Sequence, residues 1–393
     1  GEMEELDELL TGGVTIPPPI SPGRPADYAR LLGVADDDAT ILDTLYDGYR
    51  EQYDATRTSA DDDGQEVVKE KALSPAKSAR AQREANLAAA QSVAVLDTAF
   101  FDDIAAVLGV KRDAPDLVMV EQQRFRERTS PRSGQWWGGM SDTVDLVNLF
   151  AIEKGPEITA DGQDVLLRGL QSYHEQADAA VTMLATASDR MDRLQTMMGL
   201  AESGGDEKDA GAMMVAMRER WRSAFADIQE AVKQAARVNQ SVVDQLLTQL
   251  PETDRWAVRR HFIKAAYPGI LNDDDDLSVM LAAAAAIPGL SPQQKGEVNR
   301  LSERYRSDWW SISEQMIENH RNAAMSEEDR GEGMFTKADA QSALEGARLD
   351  FARSELNDRL RMRLRMLLSV DQGKKVPGLG PRPEGRFSMG PRR

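Results

Sequence analysis

Cysteine is absent from the 393 residues of this sequence, and histidine occurs three times. The absence of cysteine excludes disulfides, zinc–thiolate sites, iron–sulfur clusters and thiol nucleophiles. His174, His261 and His320 lie in three separate predicted helices without a ligand partner at helical spacing, so we interpret each as an ordinary structural residue. Most classes of metalloenzyme are therefore excluded.

Long apolar runs and the motifs of common enzyme classes are missing as well. The longest apolar run, Val279 to Ile287, has nine residues, far fewer than the roughly 20 that a membrane-spanning helix needs. No Gly-x-Gly-x-x-Gly, Walker, His-Glu-x-x-His or Gly-x-Ser-x-Gly motif occurs. The 66 acidic residues guarantee chance carboxylate pairs, so such pairs do not indicate acid–base catalysis. We expect no membrane span, no enzymatic activity and no small-molecule substrate.

Charge is abundant but unequal in sign. The 48 basic and 66 acidic residues give a formal net charge of −18, which repels phosphate backbones, so we expect no nucleic-acid partner. The two ends differ from each other: residues 1–8 hold five acids and no base, whereas residues 373–393 hold six bases and one acid. The basic residues of the C-terminal segment are Lys374, Lys375, Arg382, Arg386, Arg392 and Arg393.

Apolar residues recur at three- and four-residue spacing from about Tyr28 onward, which predicts an all-α fold with no significant sheet. Ser74-Pro75 and Ser291-Pro292 are helix starts, and Thr159 begins a helix that we expect to run to about Leu200. The architecture we predict is an elongated array of long helical hairpins with extended arms. Its five parts are an acidic, proline-rich arm at 1–27, a helical module at 28–155, a long hairpin module at 156–272, a helical module at 273–372 and a basic, Gly/Pro-rich arm at 373–393.

Short polar corners between helices recur along the chain. The segment from Gly33 to Tyr53 aligns without gaps with the segment from Gly289 to Trp309. Less exact copies begin near Val107, Leu246 and Leu367. In the Ser/Thr-x-x-Gln corners, we expect the hydroxyl to bind the first amides of the next helix while the glutamine reaches back. These corners suggest a repeated helical unit, and ordinary helix capping remains the alternative.

Two corners carry a resemblance to a known family. Leu290-Ser291-Pro292-Gln293-Gln294 and Leu368-Ser369-Val370-Asp371-Gln372 resemble the LTxxQ motif of the periplasmic Spy and CpxP proteins, with serine in place of threonine. This resemblance implies an extracytoplasmic helical hairpin whose concave surface contacts client or partner proteins without ATP. The layout is otherwise similar to uncharacterised large secreted helical proteins of bacteria.

One segment has the spacing of a calcium loop. Ser59, Asp61, Asp63, Gly64 and Glu70 occupy positions one, three, five, six and twelve of such a loop. Calcium is therefore the one metal that we consider, with no other cofactor expected. The alternative interpretation is an acidic helix N-terminus, where the helix dipole favours carboxylates.

Tryptophan occurs in two adjacent pairs. Trp136 and Trp137 lie in a predicted loop, so we interpret them as an interface or as a plug folded back onto the protein, with carbohydrate stacking as a further alternative. Trp309 continues an apolar helical stripe and is expected in the core, whereas Trp310 is the outward candidate for an interface.

These patterns lead to one principal functional hypothesis. We expect a non-enzymatic structural protein, periplasmic or extracellular, that self-associates or docks in a larger assembly through its arms, its helices and the Trp136-Trp137 loop. Its partners would be copies of itself or other protein subunits. The acidic and basic arms could pair between subunits, or the basic tail could fold onto its own acidic body. The alternative function is an ATP-independent Spy-like chaperone or envelope-stress sensor.

Overall fold

The computed structural model describes residues 16–71, 75–129, 144–152, 155–204, 210–268, 277–326 and 337–379. Within these ranges the side chains of 36–38, 63–71, 75–83, 192–193, 195–204, 210–218, 321–326 and 337–339 are not described. The predicted all-α fold is confirmed: the described ranges contain α-helices and one π-helical turn, with no strand. None of the helices in these ranges is long and apolar enough to cross a membrane.

The chain divides into two compact units, residues 1–266 and 267–393. Unit 1 contains two long hairpins, α2 with α3 and α6 with α7, together with shorter helices that pack on them. Its helices are α1 (Arg24–Leu31), α2 (Asp36–Lys71), α3 (Pro75–Leu108), α4 (Pro115–Thr129), a π-helical turn (Asn148–Ile152), α5 (Ala160–Gln171), α6 (Tyr173–Gly204), α7 (Ala210–Gln249) and α8 (Glu252–Ala266).

Unit 2 is built around a third long hairpin. Its helices are α9 (Ser278–Ala285), α10 (Pro292–Ser326), α11 (Lys337–Leu367) and the single turn α12 (Val370–Gly373). α10 packs along α11, and α9 packs against α10. Trp309 is 2% exposed, so its predicted place in the core is confirmed.

Helix ends follow the local sequence closely. α3 begins at Pro75 and α10 begins at Pro292, as predicted. Glycines with positive φ follow α1 and α3: Gly33 has φ 65° and Gly109 has φ 63°. After each of them, the next amide donates back to a carbonyl in the last turn of the helix, which closes the helix end.

The helix predicted from Thr159 to about Leu200 is wrong in one respect, because the structure breaks it at Ser172 into α5 and α6. α5 lies very close to neighbouring elements of unit 1. A Cβ at Gly169 would clash with Leu246 of α7, and one at Gly162 would clash with Asp254 of α8. α6 instead pairs along the length of α7, so the break lets the two segments pack in different directions.

The predicted N-terminal arm of residues 1–27 is folded onto unit 1 where it is described. Residues 24–27 belong to α1 rather than to an extended segment. The preceding proline segment, residues 16–20, lies against the α2–α3 hairpin, and Ile20 is fully buried. Tyr53 of α2 donates a hydrogen bond to the Pro17 carbonyl (2.7 Å), and Tyr46 donates to the Ile20 carbonyl (3.0 Å). Proline has no amide to donate, so side chains of the hairpin satisfy this backbone through its carbonyls.

A buried ion pair joins this segment to the helices. Arg124 of α4 is 1% exposed, and its Nε lies 3.0 Å from Asp97 of α3. The Arg124 guanidinium also donates to the Pro18 carbonyl (2.6 Å), and Tyr49 of α2 donates to Asp97 (2.8 Å). Burial raises the pKa of the Tyr49 phenol, and the Asp97 carboxylate raises it further. Burial lowers the pKa of Arg124, but Asp97, Tyr49 and Glu127 together more than offset this, so the net shift is upward.

Removing the Asp97 carboxylate tests how far unit 1 depends on this ion pair. We expect Asp97→Ala to lower the free energy of unfolding by about 3–5 kcal/mol, because it leaves the buried Arg124 charge with Glu127 at 3.4 Å as its acidic partner and also removes the Arg128–Asp97 pair. The measurement is urea unfolding followed by circular dichroism. Asp227→Ala is the matched control: Asp227 is exposed and pairs with Arg190 at the surface, and loss of such a pair costs less than about 1 kcal/mol. If the two variants lost the same free energy of unfolding, the buried Asp97 pair would not stabilise unit 1 more than an exposed pair does.

Candidate interaction surface

α11 carries apolar side chains on two opposite faces. One face packs against α10 and buries Leu349, Leu356, Leu360 and Leu364, each at most 8% exposed. The other face presents Leu344, Phe351, Met362 and Met366, which are 74%, 71%, 56% and 82% exposed. We call these four residues the outer row of α11. A surface helix normally has one apolar stripe, so the outer row is the feature of α11 that its packing within unit 2 does not explain.

The outer row lies on one side of the helix. With 3.6 residues per turn, its four members lie within about 60° of one another around the axis, and the row spans about 33 Å. The exposed acids Glu355 and Asp358 lie on the same side between Phe351 and Met362, so the row consists of an N-terminal and a C-terminal apolar pair. Large apolar side chains that are exposed singly are common on protein surfaces, whereas four of them on one side of a single helix indicate an interaction surface.

Charge is distributed unevenly along the same helix. Residues 359–367 contain four arginines and no acid, at positions 359, 361, 363 and 365. Residues 340–358 contain four acids and two arginines. Within the acidic half, Arg348 donates hydrogen bonds to Glu345, which lower the pKa of that carboxyl. α11 thus has an acidic first half and a basic second half on either side of Asp358.

The end of the α10–α11 hairpin is closed by the two corners that resemble the LTxxQ motif. The Ser291 amide donates to Gln294 Oε1 (3.0 Å), and the Gln294 amide donates to Ser291 Oγ (3.1 Å). Ser369 and Gln372 form the same reciprocal pair. The capping boxes predicted for these two corners are therefore confirmed.

The two corners also contact each other. Gln294 Nε2 donates to the Leu367 carbonyl (2.9 Å) and to Gln372 Oε1 (3.1 Å). The Leu367 carbonyl is one of the last in α11 and would otherwise have no partner within the helix. The Gln294 side chain therefore caps the start of its own helix and the end of the neighbouring one, which fixes where α11 stops relative to α10.

The first residues of the predicted basic arm are packed into unit 2. Val376 and Leu379 are each 3% exposed, and Arg365 Nε donates to the Leu379 carbonyl (3.1 Å). Lys374 and Lys375 are exposed, and Lys374 pairs with Asp371 at 3.0 Å. The part of the tail up to residue 379 is thus packed onto its own unit through apolar side chains, and whether the basic residues beyond it pair with acidic surface stays a prediction.

Unit 1 has no comparable apolar row among its described side chains. Its large exposed apolar residues are Ile41, Leu87, Val95, Val107 and Met183, scattered over α2, α3 and α6. Scattered positions of this kind need no functional explanation. Among the described residues, the outer row of α11 is therefore the surface that best fits a protein contact.

Several residues predicted for interfaces lie outside the described residues. These are Trp136, Trp137, Arg382, Arg386, Arg392 and Arg393. Trp310 is half-buried rather than fully outward and makes contacts within the structure.

The calcium candidates do not form the predicted loop. Ser59 and Asp61 are exposed on α2, and the side chains of Asp63 and Glu70 are not described. The backbone continues as helix through Gly64, where a calcium loop needs a turn. Among the described side chains, no group of three acidic or histidine residues could hold a metal ion. Calcium binding at this segment stays a prediction.

The outer row is a feature that the sequence-based predictions above do not contain. A signal for it is present: Leu344 and Phe351 are seven residues apart, as are Leu349 and Leu356, so two heptad-spaced apolar sets overlap in one helix.

No protein-family model, curated protein or solved structure matches this chain.

Gln294→Ala tests the link between the two corners. We expect it to lower the stability of unit 2 by about 1–3 kcal/mol, because the Leu367 carbonyl loses its side-chain donor, Gln372 Oε1 loses one of its two donors, and the α10 capping box is broken. Hydrogen exchange of the α11 C-terminal amides should accelerate together with this loss. Gln293→Ala, at the exposed neighbouring position, is the control and should leave both readouts unchanged. If Gln294→Ala and Gln293→Ala gave the same stability and the same exchange rates, the contact between the two corners would not stabilise unit 2.

Proposed function

We propose that this chain is a non-enzymatic structural protein that self-associates through the outer row of α11. The observation that carries the proposal is the exposure of Leu344, Phe351 and Met366, each above 70%, on the side of α11 opposite its packed face. Burying a Leu, Phe or Met side chain contributes about 1.5–3 kcal/mol. Two copies that covered their outer rows together would gain this several times over, before the cost of association.

The charge pattern of α11 supports a second copy as the partner, placed antiparallel. In that orientation, the arginines at positions 359–365 of one copy lie over the acidic half of α11 in the other copy. The two-fold axis repeats this contact, so the acidic half of the first copy lies over the arginines of the second. A parallel arrangement would place the basic halves together and the acidic halves together. An isologous contact of this kind closes a dimer, which can then serve as a building block.

The proposed location of the protein is the periplasm or the extracellular space. The absence of cysteine is compatible with an oxidising compartment outside the cytoplasm. The two corners that resemble the LTxxQ motif are consistent with a periplasmic protein.

A second candidate function is an ATP-independent chaperone, and one observation favours it. Met362 and Met366 supply flexible apolar side chains next to arginines on an exposed helix. Methionine-rich surfaces adapt to many sequences and are typical of promiscuous binders. The same outer row would then contact unfolded clients rather than a second copy.

Substitution of the outer row tests both functions. We expect Phe351→Ser combined with Met366→Ser to convert the wild-type oligomer to a monomer of 43.4 kDa, because two apolar anchors of the contact are lost. Mass is measured by sedimentation velocity over a concentration series. High salt should weaken the wild-type association as well, because the charge contribution is screened.

The matched control for this experiment lies in unit 1. Val95→Ser combined with Met183→Ser changes two exposed apolar residues (69% and 46% exposed) away from α11 and should leave the mass unchanged. A wild-type chain that is monomeric throughout the series contradicts the self-association proposal. If that monomer also prevents aggregation of an unfolded protein, and the Phe351→Ser/Met366→Ser variant does not, the chaperone function is favoured instead.

Truncation of the tail tests the separate hypothesis that the basic arm links subunits. Removal should begin after residue 379, because Val376 and Leu379 belong to the core of unit 2. If residues 380–393 bind an acidic region of another copy, their deletion removes four arginines and should reduce association at low salt but not at high salt. If the truncated chain had the same mass as the full chain at both salt concentrations, residues 380–393 would not contribute to association.

A further inference from the structure

The second half of α11 combines exposed apolar and basic side chains on one side of the helix. Met362 and Met366, the C-terminal pair of the outer row, are 56% and 82% exposed. They lie one turn apart, about 40° from each other around the helix axis. Arg359 and Arg363 lie on one flank of this pair and Arg365 on the other, each within about 80° of its centre. We call the two methionines and these three arginines the basic end of α11.

Two of these arginines line a groove between α10 and α11. Arg359 and Arg363 line it together with Arg304 and Asp308 of α10. The other lining residues are buried members of the core of unit 2: Leu301, Tyr305, Leu356 and Leu360. The groove has a volume of about 50 Å³, far below the roughly 300 Å³ at which small-molecule pockets begin. It therefore cannot enclose an organic ligand, but a single charged group can lie between its arginines.

The positive charge of the groove exceeds its negative charge. Asp308 is the acid among the lining residues, and it pairs with Arg304 at 3.6 Å. Arg359 donates from Nε to the Glu355 carbonyl (3.4 Å), which leaves its charge without a counterion. Neither Arg359 nor Arg363 forms an ion pair with an acid of the described residues. Guanidinium groups bind phosphate and carboxylate oxygens through paired hydrogen bonds, so two of them one turn apart suit an anionic group.

Unit 1 carries nearly all of the negative charge of the chain. Residues 1–266 contain 29 basic and 46 acidic residues, whereas residues 267–393 contain 19 basic and 20 acidic ones. Within unit 2, residues 359–367 hold four arginines and no acid, and the preceding Asp358 is paired with Arg361 at 3.4 Å. An anionic surface therefore meets little repulsion from unit 2 and a local attraction at the basic end.

An anionic phospholipid surface matches both the apolar and the basic part of this end. A free phosphate ion would contact the arginines and leave Met362 and Met366 in water. A phospholipid offers apolar chains to the methionines and a phosphate to the arginines beside them. Helices that lie in a membrane surface bury their apolar side chains about 5–10 Å deep and keep Lys and Arg at the headgroups. Clusters of four or more bases on such a helix are typical of binding to anionic lipid.

From these observations we infer that unit 2 binds anionic phospholipid surfaces through the basic end of α11, with lipid phosphate between Arg359 and Arg363 and the methionine side chains among the acyl chains. This inference goes beyond self-association and does not depend on it. Both contacts use Met362 and Met366, so a copy that is bound to lipid in this way cannot cover its outer row with a second copy.

The test is flotation of the full chain with vesicles of phosphatidylglycerol and, separately, of phosphatidylcholine at the same low salt concentration. We expect the chain to float with the anionic vesicles and not with the neutral ones. Arg359→Gln combined with Arg363→Gln should weaken binding about 25-fold, because each basic residue near an anionic surface contributes about fivefold. Arg190→Gln combined with Arg237→Gln is the matched control. These exposed arginines of unit 1 pair with acids, so the variant has the same change in charge and should bind as the wild type does.

Two further variants separate the apolar contribution from self-association. Met362→Ser combined with Met366→Ser should weaken vesicle binding at least tenfold, because both side chains lose their burial among the acyl chains. Leu344→Ser combined with Phe351→Ser removes the N-terminal pair of the outer row, and vesicle binding should persist whether or not this variant self-associates. Its loss would overturn the inference.

Three other results would also overturn the inference. The first is equal binding to both kinds of vesicle, or binding to neither. The second is an equal loss of binding in the arginine variant of α11 and in its control from unit 1. The third is full binding by the methionine variant, which would mean that the arginines attract any anion and that α11 makes no apolar contact with lipid.

Discussion

The ion pair between Asp97 and Arg124 is the interaction on which the arrangement of unit 1 depends. It joins α3 to α4, and through Tyr49 and the Pro18 carbonyl it also holds α2 and the proline segment. Two charges can remain at this depth because each is surrounded by hydrogen-bonding partners. Arg124 thereby links α4 to α3, α2 and the proline segment. One buried pair thus contacts three helices and the N-terminal segment at once.

Unit 2 reaches a defined structure by other means. Trp309 and Tyr305 of α10 are 2% exposed, and α10 packs along the leucine-bearing face of α11, so burial of apolar surface dominates there. Neutral hydrogen bonds between Gln294, Leu367 and Gln372 set the end of the hairpin. Because the leucine face already supplies this packing, the outer row is not needed for the hairpin to form. This difference is the reason to connect the outer row with function.

Much of the fold could be predicted from the sequence, because it is set by local rules. Helix starts at Pro75 and Pro292, the capping boxes at Ser291 and Ser369, and the burial of Trp309 all follow from residues within one or two turns. The break at Ser172 could not be predicted, since it depends on the close approach of Gly169 to Leu246, 77 positions away in the chain.

The candidate sites were less predictable because they too depend on contacts between residues that are far apart in the chain. Asp97 and Arg124 are two of 114 charged residues, and nothing local shows that they are buried. The outer row does have a sequence signal, but a helix with two apolar sets does not reveal which set is covered until its partner helix is known.

The net charge of the chain sets the conditions for the association through α11 that we propose. At −18, two copies repel each other at long range, and at 0.1 M salt this repulsion is screened beyond about 10 Å. At contact, the arginines at 359–365 form a local positive segment on an acidic protein, so attraction requires that this segment meet the acidic half of the helix in the other copy. Apolar burial alone would permit several registers, and charge alone would be weak at the surface. Together on one helix, they favour one antiparallel arrangement over the others.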